Sequence, residues 1–318
     1  MSAYVIRRLL SVVPITIGVM LITFFVFRVV GGNPAYRIAG KNATPARIAQ
    51  ISHERGYDKP LFLNFRQFPT QLLDAQFPQL CSNLLRLDFG RSFVTKQRVS
   101  TMLREGVGPS LCVTTPLFFI ELFLGVGLAL LAAYYRNTWI DRSLVLLSVM
   151  GMSISSLVYI MLAQYWLASV WRLFPVWGFE SPRYLILPVL VGVIAGVGGE
   201  LRFYRTVMLD EMYQDYVRTA RAKGVSSRGI LFHHVLRNAL IPILTNVIIA
   251  IPFLYTGALL LENFFGIPGL GRLTVMALFN FDDDVVFATT FIGSIMFVLF
   301  NALTDIAYTW ADPRIRLK

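Results

Sequence analysis

The sequence predicts an all-α membrane protein with six transmembrane helices, and three observations carry that expectation. First, of its 318 residues 56% are hydrophobic and 15% charged, with a mean hydropathy of +0.62, whereas a soluble domain of this length carries about 25% charged residues. Second, the apolar residues fall into runs of the length that a helix needs to cross the hydrocarbon, about 20 residues with every backbone group bonded internally. Third, Lys and Arg gather in alternate short connections, as they do when a chain is oriented across a bilayer.

The six runs cover roughly residues 9–30, 113–134, 144–170, 184–203, 239–261 and 285–308. The first follows Arg7 and Arg8 but is too long for the apolar core of a signal peptide, and no A-x-A site follows, so it reads as an uncleaved anchor. The third is long enough to tilt or to extend past the bilayer. The turn after it, from Trp171 to Arg183, carries Trp171, Phe174, Trp177 and Phe179, the composition of an interfacial aromatic belt.

Orientation follows from the short loops. One side holds 14 Lys/Arg: Arg7, Arg8, Arg136, Arg142, seven between Arg202 and Arg237, then Arg314, Arg316 and Lys318. The short connections of the other side hold only Arg172, Arg183 and Arg272. Both termini are therefore expected in the cytoplasm. The net charge of +11 is read as orientation and lipid anchoring rather than as a nucleic-acid footprint.

The expected organisation is an N-terminal tail and first helix (1–30), a long extracytoplasmic segment (31–110), and a core transmembrane region (111–318) with a cytoplasmic loop at about 205–238. The long segment carries turn signals at Gly31-Gly32-Asn33-Pro34 and Asp58-Lys59-Pro60. No internal repeat is evident. Two cysteines, Cys81 and Cys112, imply no disulfide framework, and the sequence leaves open whether they are bridged. The three histidines, His53, His233 and His234, have no metal-ligand spacing.

The loop between the fourth and fifth spans is the informative one. Apolar or small residues at Leu209, Met212, Tyr213, Tyr216, Val217 and Ala220 keep one face of a helix. Asp210, Glu211, Gln214, Asp215, Arg218 and Arg221 keep the other. Lys223-Gly224 gives a basic last turn and a glycine suited to the left-handed position beyond it. Ser226 or Ser227 can cap a second short helix over 229–237, with Ile230, Leu231, His234 and Val235 on one side. Two capped helices exceed what a plain connector needs, and they describe a docking surface.

The stretch Asp215-Tyr216-Val217-Arg218-Thr219-Ala220-Arg221-Ala222-Lys223-Gly224, followed by His234-Val235-Leu236-Arg237-Asn238-Ala239-Leu240-Ile241-Pro242, resembles the EAA loop of ABC importer permeases. It is closest to the form found in the dipeptide/oligopeptide/nickel group. Arg218-Thr219-Ala220 stands where the general pattern has Glu-Ala-Ala, and the proline comes later, both as in that group. Further stretches resemble its B-type subunit: Arg7-Arg8-Leu9-Leu10, Gly32-Asn33-Pro34-Ala35, Gly56-Tyr57-Asp58-Lys59-Pro60-Leu61, Leu87-Asp88-Phe89-Gly90-Arg91-Ser92-Phe93, Phe264-Phe265-Gly266-Ile267-Pro268-Gly269-Leu270-Gly271-Arg272 and Asp312-Pro313-Arg314-Ile315-Arg316.

The resemblance implies a type I importer permease fold in a bacterial inner membrane. It also implies a second homologous permease, two cytoplasmic ATPase subunits and an extracytoplasmic solute-binding protein as partners. Asp215, Tyr216, Arg218, Thr219, Ala220, Arg221, Lys223 and Gly224 would form the coupling contact. No G-x-x-x-x-G-K-[ST] occurs, Gly40-Lys41-Asn42 being the nearest approach. ATP and Mg are thus expected in the partner ATPases, with no cofactor and no catalytic residue in this chain.

Glu121 lies within the second span, where a carboxylate is by default a functional candidate. It faces either a translocation path or a partner inside the bundle. Pro242 and Pro252, with Gly257, allow kinks in the fifth span, and Pro252 and Gly257 join Glu121 as candidates for that path. Gly192, Gly196, Gly198 and Gly199 in the fourth span permit close helix packing. Arg28 and Glu200 are expected to snorkel from span ends, Asp305 to anchor the sixth span, and Asp282-Asp283-Asp284 to form a solvated acidic turn. A stand-alone secondary transporter is the rival reading, but it needs midplane ion ligands, and Glu121 is the one candidate.

Overall fold

The computed structural model describes the backbone of residues 10–40, 43–64 and 72–311, and side chains as far as residue 303. Arg7, Arg8, Lys41, the Asp312–Arg316 stretch, Lys318 and the side chain of Asp305 lie outside the described residues. Among the described residues all regular structure is helical, apart from one isolated bridge between Arg91 and Arg98.

The chain divides into two compact units. One comprises the chain as far as Gly106 together with Leu273–Leu299, and the other Val107–Arg272 together with the chain from Phe300. In the first unit, α1 (Val12–Val30) leads to the short helices α2 (Pro34–Ala39), α3 (Pro45–Glu54) and α4 (Gln76–Leu85). Asn33 and Thr44 cap α2 and α3 by accepting the N–H of Ala35 and Arg47 at 2.9 and 3.4 Å, and proline takes the first helical position of each. Gln76 ties the segment together by donating to the carbonyls of Tyr57 and Lys59 at 3.0 and 2.8 Å. Its core joins Met20 and Phe24 of α1 to Leu84 of α4 and to Phe287 and Phe291.

The second unit holds α5 from residue 107 onward (whole helix Val99–Tyr134), α6 (Trp139–Ser153), α7 (Ser156–Val170), α8 (Arg183–Met212) and α9 (Asp215–Ala222). Next come α10 (227–256), α11 (Leu259–Phe265) and the start of α12 (Leu270–Phe279). Helix α13 (Asp283–Ala311) carries the last apolar span. Among the described residues, five helices are long and apolar enough to cross a membrane, and the pair α6–α7 makes six if it counts as one span.

That pair corrects the expectation of a long, tilted third span. The two helices meet at 87°. Ile154 and Ser155 take extended ψ values of 129° and 140°, and the Ser155 hydroxyl caps α7 by accepting from Leu157 N–H. A serine able to cap a new helix competes with continuation of the old one.

The glycines of α8 do pack closely. A side chain at Gly198 would meet the carbonyl oxygen of Ser148 at 2.9 Å, and one at Gly192 or Gly196 would collide with Leu117 or Glu121, while Gly199 faces open space. The two cysteines are free thiols.

The acidic turn differs from expectation more sharply. Asp282 and Asp283 are buried. Asp282 accepts from the Ser92 hydroxyl. Asp283 lies 3.1 Å from Arg37 and 3.6 Å from Arg28, and Asp284 lies 3.3 Å from Arg55. Arg28 does not snorkel, because its guanidinium sits 4.2 Å from the centre of the Tyr57 ring and its side chain is only 9% exposed. Local sequence shows three adjacent carboxylates and cannot show three arginines brought in from 229 or more residues away.

Candidate coupling surface and translocation path

The predicted helix over residues 209–223 is two helices. Helix α8 stops at Met212, Gln214 is extended (φ −68°, ψ 152°), and α9 begins at Asp215. The break turns Tyr213 outward, where it is exposed beneath the Arg136 guanidinium at 4.9 Å, instead of placing it on the apolar face. Val217 and Ala220 are buried against a cluster that includes Ile230, Leu231 and Val235. Asp215, Arg218, Thr219, Arg221 and Lys223 point to solvent. Tyr216 donates its hydroxyl to Glu211 at 2.5 Å, and burial, reinforced by that carboxylate, pushes its phenol up to about 12.

The end of α9 follows from its glycine. Gly224 has φ +81°, a region open to glycine at little cost. Its N–H reaches the Arg221 carbonyl at 3.0 Å, and that of Val225 reaches Ala220 at 3.2 Å. These two bonds are the pair that closes a Schellman turn. Ser226 then accepts from Gly229 N–H at 3.2 Å and caps the next helix. That helix is not the short one expected: after a π-helical stretch, Ile230–Val235, it runs on into the fifth span. The turn at Gly224 is thus joined, through Val225 and the Ser226 cap, to a helix that continues into the membrane.

Within the spans, Glu121 and Gly125 of α5 face Gly196, Glu200 and Tyr204 of α8, where the missing side chains of the two glycines leave room for carboxyl and ring. Asn246 of α10 donates to Glu200 Oε2 and to the Tyr204 hydroxyl, each at 3.1 Å. Glu200, expected to snorkel, therefore belongs to an internal polar cluster. The sequence reading missed Tyr204 and Asn246; a lone amide in an apolar span was the available signal for Asn246.

Pro252 and Gly257 are not part of that cluster. Pro252 is buried in α10, and Gly257 ends the helix at φ +79°. Thr114 closes this end by donating to the Leu254 carbonyl at 2.8 Å. Gly257 lies against Glu262, a residue the sequence reading did not single out. Glu262 has no exposed surface and accepts backbone N–H groups of Ala258, Gly271 and Arg272 at 3.0, 2.8 and 3.2 Å. Arg272 folds back over the Trp177 ring and bonds the Gly266 carbonyl at 2.8 Å. The Pro-Gly loop of residues 266–272 is therefore held by a carboxylate at its base and an arginine at its end.

Residues 1–114 match the N-terminal family of binding-protein-dependent transport system membrane components, and residues 125–317 match the binding-protein-dependent transport system inner membrane component family. The chain belongs to this permease family. A protein of Brucella abortus (strain 2308) named as a peptide transport system permease is 35% identical over 324 residues, covering 99% of each chain. A probable peptide ABC transporter permease of Sinorhizobium fredii is 34% identical, over 99% of this chain and 100% of its own. A glutathione transport system permease of Salmonella paratyphi A is 33% identical over the full length of both. The permease is thus a membrane-spanning subunit of an ABC importer, with the type I permease fold and a transport rather than a catalytic role. Family membership places it in a membrane, in complex with other subunits of its transporter.

Proposed function

We propose that the permease carries peptides or a related small solute across a bacterial inner membrane, with both termini cytoplasmic and with a second homologous permease, two ATPases and an extracytoplasmic binding protein as partners. ATP and Mg would be held by the ATPases. The single observation that carries the coupling reading is the construction of 215–224. Charged side chains are exposed on a helix whose opposite face is buried, and a left-handed glycine joins it to a spanning helix.

In this reading the exposed Asp215, Arg218, Thr219, Arg221, Lys223 and Gly224 form the ATPase contact, with Tyr216 half-buried at its edge, whereas Ala220, expected in the contact, is buried against the permease's own core and supports the helix from beneath. Closure of the ATPases would press on α9, and the Gly224 turn would pass the displacement into α10. The bundle would then alternate between inward-open and outward-open states. Glu121, with Glu200, Tyr204 and Asn246, is the polar set available to line the path, Pro252 is a point at which α10 can bend, and Gly257 is where that helix ends.

The test is Gly224→Trp in the assembled transporter, reconstituted with its partners. Open space surrounds Gly224, although its φ of +81° strains any residue with a Cβ, so the variant should insert normally, as Gly224→Ala should, yet lose ATP-dependent uptake. Normal uptake by an inserted Gly224→Trp permease would refute the coupling role. Mass spectrometry of the complex drawn from native membranes should find a P-loop ATPase and a related permease in near-equal amounts.

A further inference from the structure

In the first unit, α4 lies against a spanning helix although it belongs to the long segment between spans. Its Phe77 ring stands 5.3 Å from that of Phe24, and its Leu84 is buried in one cluster with Met20 and Phe24 of α1. Phe24 and Met20 lie about 9 and 15 Å along α1 from its end at Val30, at about 1.5 Å per residue. That is hydrocarbon depth in a bilayer core about 30 Å thick. No charged residue occurs between Asp74 and Arg86. The helix is two-sided: Gln79 and Asn83 line a polar cavity with Arg28, Arg55 and Arg91, while Leu85, 76% exposed, presents bare apolar surface. An amphipathic helix of this kind settles in a membrane interface with its apolar side in the acyl region.

Between α1, α4 and α13 runs an apolar groove of about 320 Å³. Its walls include Val12 and Ile17 of α1, Cys81 and Leu85 of α4 and Ile295 of α13, each exposed or half-buried and so open to a ligand, over a buried floor of Met20 and Leu84. Among the described residues no charged side chain borders it. Two of its three walls are helices long and apolar enough to span a membrane, so hydrocarbon lies beyond its open side. One turn of a packed helix, about 10–12 Å across and about 5.4 Å long, needs more than this volume, whereas a single chain of methylenes fits. We infer that α4 is seated in the bilayer and that the groove holds one acyl chain of a phospholipid. The site lies wholly in the first unit, and it stands whether or not α9 meets an ATPase.

Two measurements on the full-length permease in phosphatidylethanolamine nanodiscs test this. A nitroxide on Leu85→Cys, with Cys81 and Cys112 replaced by serine, should collide more often with dissolved oxygen than with an aqueous nickel chelate. One on Ala46→Cys, exposed on α3, should do the reverse. Phosphatidylethanolamine carrying a diazirine at the end of its acyl chain should cross-link on irradiation to Cys81 and Ile295 in the groove, and also to Phe123, 70% exposed on α5. Cys81→Trp within the groove and Val13→Trp at its rim, where Val13 is 56% exposed and a larger side chain disturbs no core, should cut the Ile295 cross-link several-fold and leave that at Phe123 unchanged. A Leu85→Cys label in water, no cross-link at Cys81 or Ile295, or an Ile295 yield that neither tryptophan lowers would each overturn the assignment.

Discussion

Glu262 accepts the backbone N–H of Gly271 at 2.8 Å from a side chain with no exposed surface. The carboxylate sits where a helix has ended and a glycine loop must turn, so it replaces helical acceptors that the loop residues lack. Side chains at Gly257 or Gly269 would enter the space that it fills.

Replacing Glu262 by alanine strands the N–H groups of Ala258, Gly271 and Arg272, each worth about 1–3 kcal/mol when buried and unpaired. The thermal midpoint of the purified permease should fall by at least about 6 °C. Glu262→Gln, which keeps one acceptor oxygen, should lose about half of that. A midpoint within about 2 °C of wild type for the alanine variant would show that the loop is held by other contacts.

Gly198 and Gly199 are neighbours with opposite surroundings. Gly198→Ala brings a methyl against the Ser148 carbonyl oxygen, a backbone atom that cannot swing aside, and should cost about 1–3 kcal/mol. Gly199→Ala meets nothing within 4 Å and should be neutral, or stabilising by up to about 1 kcal/mol through helix propensity. Equal melting temperatures for the two variants would contradict the packing of α8 against α6.

Asp141 and Arg205 form a two-pronged pair, with Nε to Oδ1 at 2.7 Å and Nη2 to Oδ2 at 2.9 Å. The same carboxylate accepts from Asn137 N–H at 3.0 Å, where Asn137 holds φ +63°. A double-mutant cycle with Asp141→Ala and Arg205→Ala should therefore give a coupling energy of about 1–3 kcal/mol. Additive losses would remove this pair from the forces that position α6.

Asp283 and Asp58 contrast a buried with an exposed acid. Asp283→Ala leaves Arg28 and Arg37 without a buried counter-charge and should cost about 3–5 kcal/mol, read as a fall in the urea midpoint. Asp58 pairs with His53 at 3.0 Å, but both side chains are exposed, 47% and 87%. The hydrogen bond from His53 holds the Asp58 carboxyl below its usual range, yet Asp58→Ala should change the midpoint little. Similar losses for the two variants would count against a buried charge cluster.

The amino-acid sequence by itself determined the class of the protein. Backbone groups in lipid have no partner except their own helix, so six apolar runs had to be helical spans, and the structure has them, one in two pieces. It also determined the end of α9, because the conformation at Gly224 and the cap at Ser226 depend on residues within three positions. What only the tertiary structure decided depends on distant partners. The fate of Asp282–Asp284 was set by Arg28, Arg37 and Arg55, and the importance of Glu262 by a loop that folds back onto it. The exposure of Tyr213 required the break at Gln214, which the apolar spacing of 209–220 did not reveal because the same residues fit one helix or two. A charge in a sequence carries no sign of its counter-ion, and burial becomes affordable or ruinous according to what the fold sets beside it.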